Sequence, residues 1–145
     1  MQDDLISIVI PFKNTELYIS ECVDSILNQT YTNWEAIFVD DHSNDTSAAI
    51  IKSYSKNDSR IKHLKNKGNG IIDALKTAFN DSSGCYISRM DSDDVMTAIR
   101  LETMINSLKI YGRQHLAVGQ VTYFRADGLS DGFARYEQWL NKLTR

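Results

Sequence analysis

Carboxylates gather at two points in this sequence where a short apolar run ends. Asp91, Asp93 and Asp94 follow the run Tyr86 to Met90 in YISRMDSDDV, and Asp40 and Asp41 follow Ala36 to Val39 in FVDDHSND. Adjacent like charges repel unless solvent, hydrogen-bond donors or a cation compensate them. Hard oxygen ligands of this type suit Mg2+ or Mn2+, which take one or two protein carboxylates and complete their shell with water and phosphate oxygens. A diphosphate matches that requirement at Asp91 and Asp93. The competing reading is a solvated cap for a helix starting near Thr97, and Ser43, Asn44 and Asp45 offer the same service after Asp40 and Asp41. Spacing alone leaves both readings open. A calcium loop running from Asp91 to Glu102 is excluded, because Met96 stands where that loop needs glycine.

Two further turns have groups suited to a ligand. PFKN, Pro11 to Asn14, follows the first apolar run. Pro11 lacks a ladder donor and is expected to end a strand, and Asn14 is expected to cap the next helix. In NKGNGIIDALKTAF, Gly68 and Gly70 precede a helical pattern, which suits either a phosphate cradle of backbone N–H groups or a plain helix-entry turn. The dinucleotide fingerprint fails because Asp73 replaces its third glycine. His42, His63 and His115 lack metal-ligand spacing, and no GxSxG nucleophile elbow is present.

The elements that would position these turns can be read from apolar periodicity. Ile6 to Ile10, Ala36 to Val39, Ile61 to Leu64, Tyr86 to Met90 and Leu116 to Val121 are short runs suited to strands covered on both faces. Between them, apolar residues recur at helical steps: Leu17, Ile19, Cys22, Val23, Ile26 and Leu27; Ala48, Ile51 and Tyr54; Ile71, Leu75, Ala78 and Phe79; Leu101, Met104, Ile105 and Leu108. A last helical pattern spans Phe133 to Leu143. The alternation predicts an α/β protein, a doubly wound, mostly parallel sheet with helices on both faces in a three-layer α/β/α sandwich. Ligands of such sheets collect outside the carboxyl ends of the strands, where all four turns fall.

Length bounds the rest. At 145 residues, with 42% hydrophobic and 24% charged residues, the chain reads as a single domain spanning 1–145. No apolar run approaches the roughly 18 residues of a membrane span, and the acidic start MQDDLISIVIPF is expected to be a first strand rather than a leader. The net charge of −3 argues against sequence-independent nucleic-acid binding. Cys22 and Cys85 lie in apolar stretches and read as buried free thiols of a cytoplasmic protein.

Taken together, SIVIPFKN, SILNQTYTNWEAIFVDDHSNDTS, GNGIIDALKTAF and GCYISRMDSDDVMTAIRLE occur in the order and approximate spacing of family 2 glycosyltransferases of the GT-A fold, which the sequence resembles over most of residues 5 to 105. The resemblance implies that the chain carries the part binding a nucleoside diphosphate sugar, a UDP-sugar, through Mg2+ or Mn2+, for inverting transfer to an acceptor hydroxyl. Pro11, Phe12 and Asn14 would line the nucleotide pocket with Gly70 and Asp73. Asp41 would recognise the base, supported by Asp40. Asp91 and Ser92 would face the ribose and sugar, and Asp93, with Asp91, would hold the metal. The general base would lie beyond Arg145, since Asp131 and Glu137 sit in no matching motif. PFKN lacks the family's usual threonine and tyrosine, Lys76 stands where asparagine or arginine is common, and Ala98 replaces a frequent proline. The implied setting is cytoplasmic polysaccharide assembly, peripheral to the inner face of the membrane, with a carbohydrate or lipid-linked acceptor. A homodimer would cover apolar surface around Trp139. A metal-dependent nucleotidyltransferase and a non-enzymatic interaction domain are the alternatives. The first usually needs a glycine-rich, basic loop after the first strand, which PFKN is not; the second would use the acidic turns only as caps.

Overall fold

The computed structural model describes residues 4–112, 114–125 and 127–144. Apolar runs form the central strands β1 (Ile6–Phe12) and β2 (Trp34–Asp40), and shorter, more polar segments form β3 (Ile61–Lys65) and β4 (Tyr86–Arg89), with α1 (Ile19–Leu27), α2 (Ser47–Asn57) and α3 (Ile71–Asp81) between them. α4 (Arg100–Tyr111) and α5 (Asp131–Lys142) follow. The chain divides into two compact units, Met1–Glu102 and Thr103–Arg145, where the sequence alone suggested one domain over 1–145. Among the described residues no helix is long and apolar enough to cross a membrane.

In the first unit all strand pairs are parallel, in the order β3-β2-β1-β4. The α/β architecture expected from the alternation is therefore present. Every residue of β1 and β2 is buried, which requires cover on both faces of the sheet. Val9, Ile37 and Val39 share one face and pack with Ala74 and Ala78 of α3. Small residues let that helix approach closely, so its larger Ile71 and Phe79, expected inside from their spacing, are turned to the exposed side. Strand alternation puts Ile8, Ile10, Ala36 and Phe38 on the opposite face, where they are fully buried.

Four expectations need correction. Pro11 does not end β1, which continues through Phe12 paired with β2. The Val9 carbonyl accepts from the Met90 N–H on the β4 side, so position 11 points its missing donor the same way, where β4 has already stopped at Arg89. Second, β4 is not buried on both faces: Ile87 is exposed, as suits a strand at the edge of the sheet. Third, Cys85, just before β4, is exposed, whereas Cys22 on α1 is buried as expected. Fourth, residues 116–121 form no strand, and Leu116 is 92% exposed. Within the second unit, the Asn141 amide bonds both the N–H and the C=O of Val121 at 2.8 Å, and Glu137 accepts from the Tyr123 N–H at 2.7 Å. Side chains one turn apart on α5 thus take the place of a neighbouring strand.

The amino end of the sheet is closed by a self-contained charge knot. Glu35 Oε1 accepts from Ser7 Oγ and from the Ser83 N–H, both at 2.6 Å, while Oε2 meets Lys62 Nζ at 3.0 Å. Lys62 also pairs with Asp81 at 3.1 Å. Although burial alone would raise it, the Glu35 pKa is held below its usual 4.5 by the Ser7 and Ser83 hydrogen bonds and by Lys62. Gly84 completes the knot: its N–H donates to Ser7 Oγ at 2.8 Å, and a Cβ there would meet the Leu5 carbonyl oxygen at 2.6 Å and the Ser7 nitrogen at 2.7 Å. Backbone atoms cannot yield, so only glycine fits.

Two stability predictions follow from the knot. Glu35→Ala is expected to cost about 2 kcal/mol at pH 7, below the value for a fully buried pair because Lys62 is one-third exposed. Since the folded pKa is depressed, that contribution is complete above pH 4.5 and fades as pH falls through the folded value. Urea denaturation of both proteins across pH 3 to 7 checks it, and a gap that persists undiminished at the acid end contradicts it. Gly84→Ala is expected to lose more than about 2 kcal/mol through forced strand displacement, read as a fall in the thermal midpoint.

Candidate functional site

At the carboxyl ends of β1, β2 and β4 a cleft of about 220 Å3 is lined by Pro11, Phe12, Lys13, Thr15, Asp41, Ile71, Asp91, Ser92 and Asp93. The sheet order explains its position. The chain builds outward from β1 to β2 and β3, then returns to place β4 on the other side of β1, so the connections at β1 and β4 diverge and leave a crevice. The early end of β4 beside Pro11 opens that crevice further.

The first and second turns are laced together. The N–H groups of Asn14, Thr15 and Glu16 donate to Ser43 Oγ, Ser47 Oγ and Asp45 Oδ2 at 3.1, 2.9 and 3.1 Å. In return, Asn14 Oδ1 accepts from the Asn44 N–H at 2.8 Å, and Glu16 Oε2 accepts from the Thr46 N–H and hydroxyl at 3.0 and 2.6 Å. Asn14 therefore does not cap α1, whose N-cap is Tyr18; it holds the neighbouring turn. It does so from a left-handed backbone, φ 53°, a conformation asparagine tolerates better than most residues. His42 in the second turn is also left-handed, φ 60°, with Nε2 at 2.9 Å from the Gly68 carbonyl. Non-glycine residues in this region cluster at functional sites.

The adjacent carboxylates Asp40 and Asp41 are both buried, and their repulsion is met by protein donors. Asp40 Oδ1 accepts from the Ser43 N–H at 2.8 Å, which turns the chain away from the sheet. Asp41 Oδ1 accepts from Asn66 Nδ2 at 2.7 Å and from the Gly70 N–H at 2.9 Å, leaving Oδ2 toward the cleft, 4.0 Å from Lys13 Nζ. The Asn66 hydrogen bond, then those of Gly70 and the charge of Lys13, hold the Asp41 pKa below the usual carboxylate range despite burial. Gly70 adopts φ 83° and spends its N–H on Asp41, so that donor is not offered to a phosphate. Asp73 faces its own helix start: Oδ2 accepts from the Asn69 N–H at 3.2 Å and Oδ1 lies 3.6 Å from Lys76. Asn14, Asp40, Gly70 and Asp73 thus support the cleft from outside its lining, whereas Pro11, Phe12, Asp41, Asp91, Ser92 and Asp93 line it.

The acidic turn after β4 is fastened on both sides. Asp91 Oδ1 meets Arg89 at 3.0 Å, and the Asp94 N–H closes a turn onto the Asp91 carbonyl at 3.1 Å. Downstream, the Met96 N–H donates to Ser25 Oγ at 3.1 Å, and the buried Gln29 amide donates to the Thr97 carbonyl at 2.8 Å and accepts from the Leu101 N–H at 3.1 Å. Burial, then the charges of Asp91 and Asp93, raises the Asp94 pKa. Burial and the same three aspartates push the nearby Cys22 thiol up to about 12. Among the described residues no three His, Cys, Asp or Glu side chains converge to form a ready-made metal cage. The donor set does fit a divalent cation of the Mg2+ or Mn2+ type: exposed carboxylates of Asp91 and Asp93 on one wall of an open cleft, leaving coordination positions for a ligand's oxygens and water.

Lys13, Thr15 and Ile71 line the cleft without having been marked by the sequence reading. Lys13 had a signal, being the one basic residue in the PFKN turn. Thr15 had none; its hydroxyl is buried without a hydrogen-bond partner among the described residues. Gln29 had none either, since a glutamine after an amphipathic helix looks like any polar residue.

Residues 7–143 match the family model described as glycosyl transferase family 2. Glycosyltransferase GlyA of Streptococcus pneumoniae is 37% identical over 122 residues, 84% of this chain and 17% of GlyA. The Escherichia coli UDP-Glc:alpha-D-GlcNAc-diphosphoundecaprenol beta-1,3-glucosyltransferase WfgD is 41% identical over 109 residues, 74% of this chain and 42% of WfgD. The chain thus spans less than half the length of these curated relatives. Among solved structures, S. aureus TarS 1-349 in complex with UDP superposes with a TM-score of 0.67 at 25% identity, covering 72% of this chain and 32% of that one. With the family model matched across nearly the whole sequence and its GT-A-type sheet in place, this chain belongs to glycosyl transferase family 2.

Proposed function

We propose that this chain is the donor-binding part of a glycosyltransferase that holds a nucleoside diphosphate sugar, a UDP-sugar, in the cleft between β1 and β4 with the help of Mg2+ or Mn2+. The observation that carries the reading is the pairing, in one cleft, of a buried and hydrogen-bonded carboxylate at Asp41 with exposed carboxylates at Asp91 and Asp93. Asp41 is fixed as a permanent acceptor, suited to an N–H on a base. Asp93, with Asp91, would hold the divalent cation. When bound, such a cation neutralises charge developing on a departing diphosphate.

The chain's own contribution to transfer is orientation. Asp41 would set the base at one end of the cleft, and the acidic turn, fastened through Ser25 and Gln29, would set the diphosphate and sugar at the other. Inverting attack by an acceptor hydroxyl requires a general base on the face opposite the leaving group. Asp131 and Glu137 are weak choices: Glu137 is engaged with the Tyr123 N–H. A carbohydrate or lipid-linked acceptor and a site of action on the inner face of the membrane complete the proposal, supported by the lipid diphosphate named in the acceptor of WfgD.

Thermal unfolding with UDP, with and without Mn2+, tests this reading. UDP at about a hundred times its dissociation constant is expected to add roughly 2.7 kcal/mol and several degrees to the midpoint. The metal-dependent part should vanish in Asp93→Asn, whose exposed side chain makes that variant fold normally. A midpoint unmoved by UDP in the presence of Mn2+ refutes the donor-site assignment.

A further inference from the structure

The one basic side chain lining the cleft has no part in the reading above. Lys13 sits in the first turn, its side chain 55% exposed, with Nζ 4.0 Å from Asp41 Oδ2. That separation is too long for a hydrogen bond, so charge attraction keeps the ammonium at the Asp41 end of the cleft while all its donors stay free. The carboxylate is in the complementary condition. Its Oδ1 is occupied by Asn66 and Gly70, and only Oδ2 is left for a ligand. One acceptor and one donor thus stand side by side, each immediately before a left-handed residue, Asn14 and His42. The turns that carry them are joined by the lacing of Asn14, Thr15 and Glu16 to residues 43–47, and by the Asp41 N–H donating to the Phe12 carbonyl at 2.8 Å. The separation of the two turns is therefore set by the fold before any ligand arrives, and the lysine side chain reaches from one toward the carboxylate of the other.

A fixed acceptor with a cationic donor reaching from the adjoining turn recognises a ligand edge that offers an N–H next to a carbonyl. We propose that Lys13 is a specificity-determining residue that donates to the carbonyl flanking a base N–H held by Asp41, so that the two side chains together select a uracil-type imide edge. This rests on the proposed donor site and goes beyond it by assigning the second contact and its consequence. Cytosine presents a bare ring nitrogen where uracil presents its central N–H, so the Asp41 carboxylate meets a lone pair there. CDP matches UDP in size and phosphate charge and is the natural control. A lysine serving the phosphates instead would be indifferent to the base.

The experiment is calorimetric titration of the 145-residue chain with UDP, CDP and uridine in the presence of Mn2+, for wild type, Lys13→Met and Lys13→Arg. Wild type is expected to prefer UDP over CDP at least tenfold. Lys13→Met is expected to lose about tenfold in affinity for UDP and for uridine alike, while CDP changes by less than twofold, so the preference collapses. Lys13→Arg, which keeps the charge and the donors, should recover most of it. Equal weakening of UDP and CDP with uridine unchanged would place Lys13 on the phosphates and overturn the proposal, as would a Met variant that binds all three like wild type. If wild type binds none of them, the donor-site reading itself falls; wild-type UDP binding with an unchanged UDP-to-CDP ratio in Lys13→Met sinks this proposal alone.

Discussion

Parallel pairing is the constraint on which the rest of this structure depends. A parallel strand cannot be entered from a hairpin, so after each strand the chain must cross back along a helix to the same starting edge. β1, β2, β3 and β4 obey this without exception. As a result the segments after β1, β2 and β4, dispersed in sequence, converge at one edge of the sheet, and Asp41, Asp91 and Asp93 share a cleft although up to 52 residues separate them. The order β3-β2-β1-β4 then decides where along that edge the cleft opens, because only at β1 does the winding change direction.

The two ends of the sheet treat charge in opposite ways. At the amino end, Glu35, Lys62 and Asp81 satisfy one another with help from Ser7 and Ser83. At the carboxyl end, Asp40 and Asp41 are held mainly by neutral donors with Lys13 at 4.0 Å from Asp41, Arg89 pairs with Asp91, and burial leaves Asp94 with a raised pKa among its acidic neighbours. Both carboxylates of the knot pair with Lys62 inside the fold, whereas the acidic turn crowds three carboxylates beside Arg89. That asymmetry is a mark of a site built for a ligand bearing cations or donors.

Much of this could be read from the residues alone, for identifiable reasons. Parallel strands buried on both faces are apolar throughout, so β1 and β2 were plain in the sequence, and acidic turns at their ends were visible as breaks in that pattern. What failed depended on partners remote in sequence. Pro11 reads as a strand terminator unless one knows that β4 ends at Arg89. Leu116 to Val121 reads as a strand, but strand formation needs a neighbour, and side chains of α5 occupy that role. On α3 the periodicity finds Leu75 and Ala78 but not Ala74, and it takes Ile71 and Phe79 inward, because it cannot tell that a small residue fits against the sheet better than the larger ones. Of the site itself, the carboxylates announced themselves, while Thr15 and Gln29 matter only through contacts made by folding.

The lacing between the first two turns has a consequence for how such a protein can change over generations. Residues 14–16 and 43–47 are matched donor for acceptor, so neither turn can gain or lose a residue without putting the other out of step. Point substitutions at Lys13 alter what the cleft selects and leave that correspondence intact. Descendants of this chain are therefore free to explore new ligands by exchanging side chains in these turns, but not by remodelling loop lengths, which confines their diversification at this end of the cleft to chemistry rather than shape.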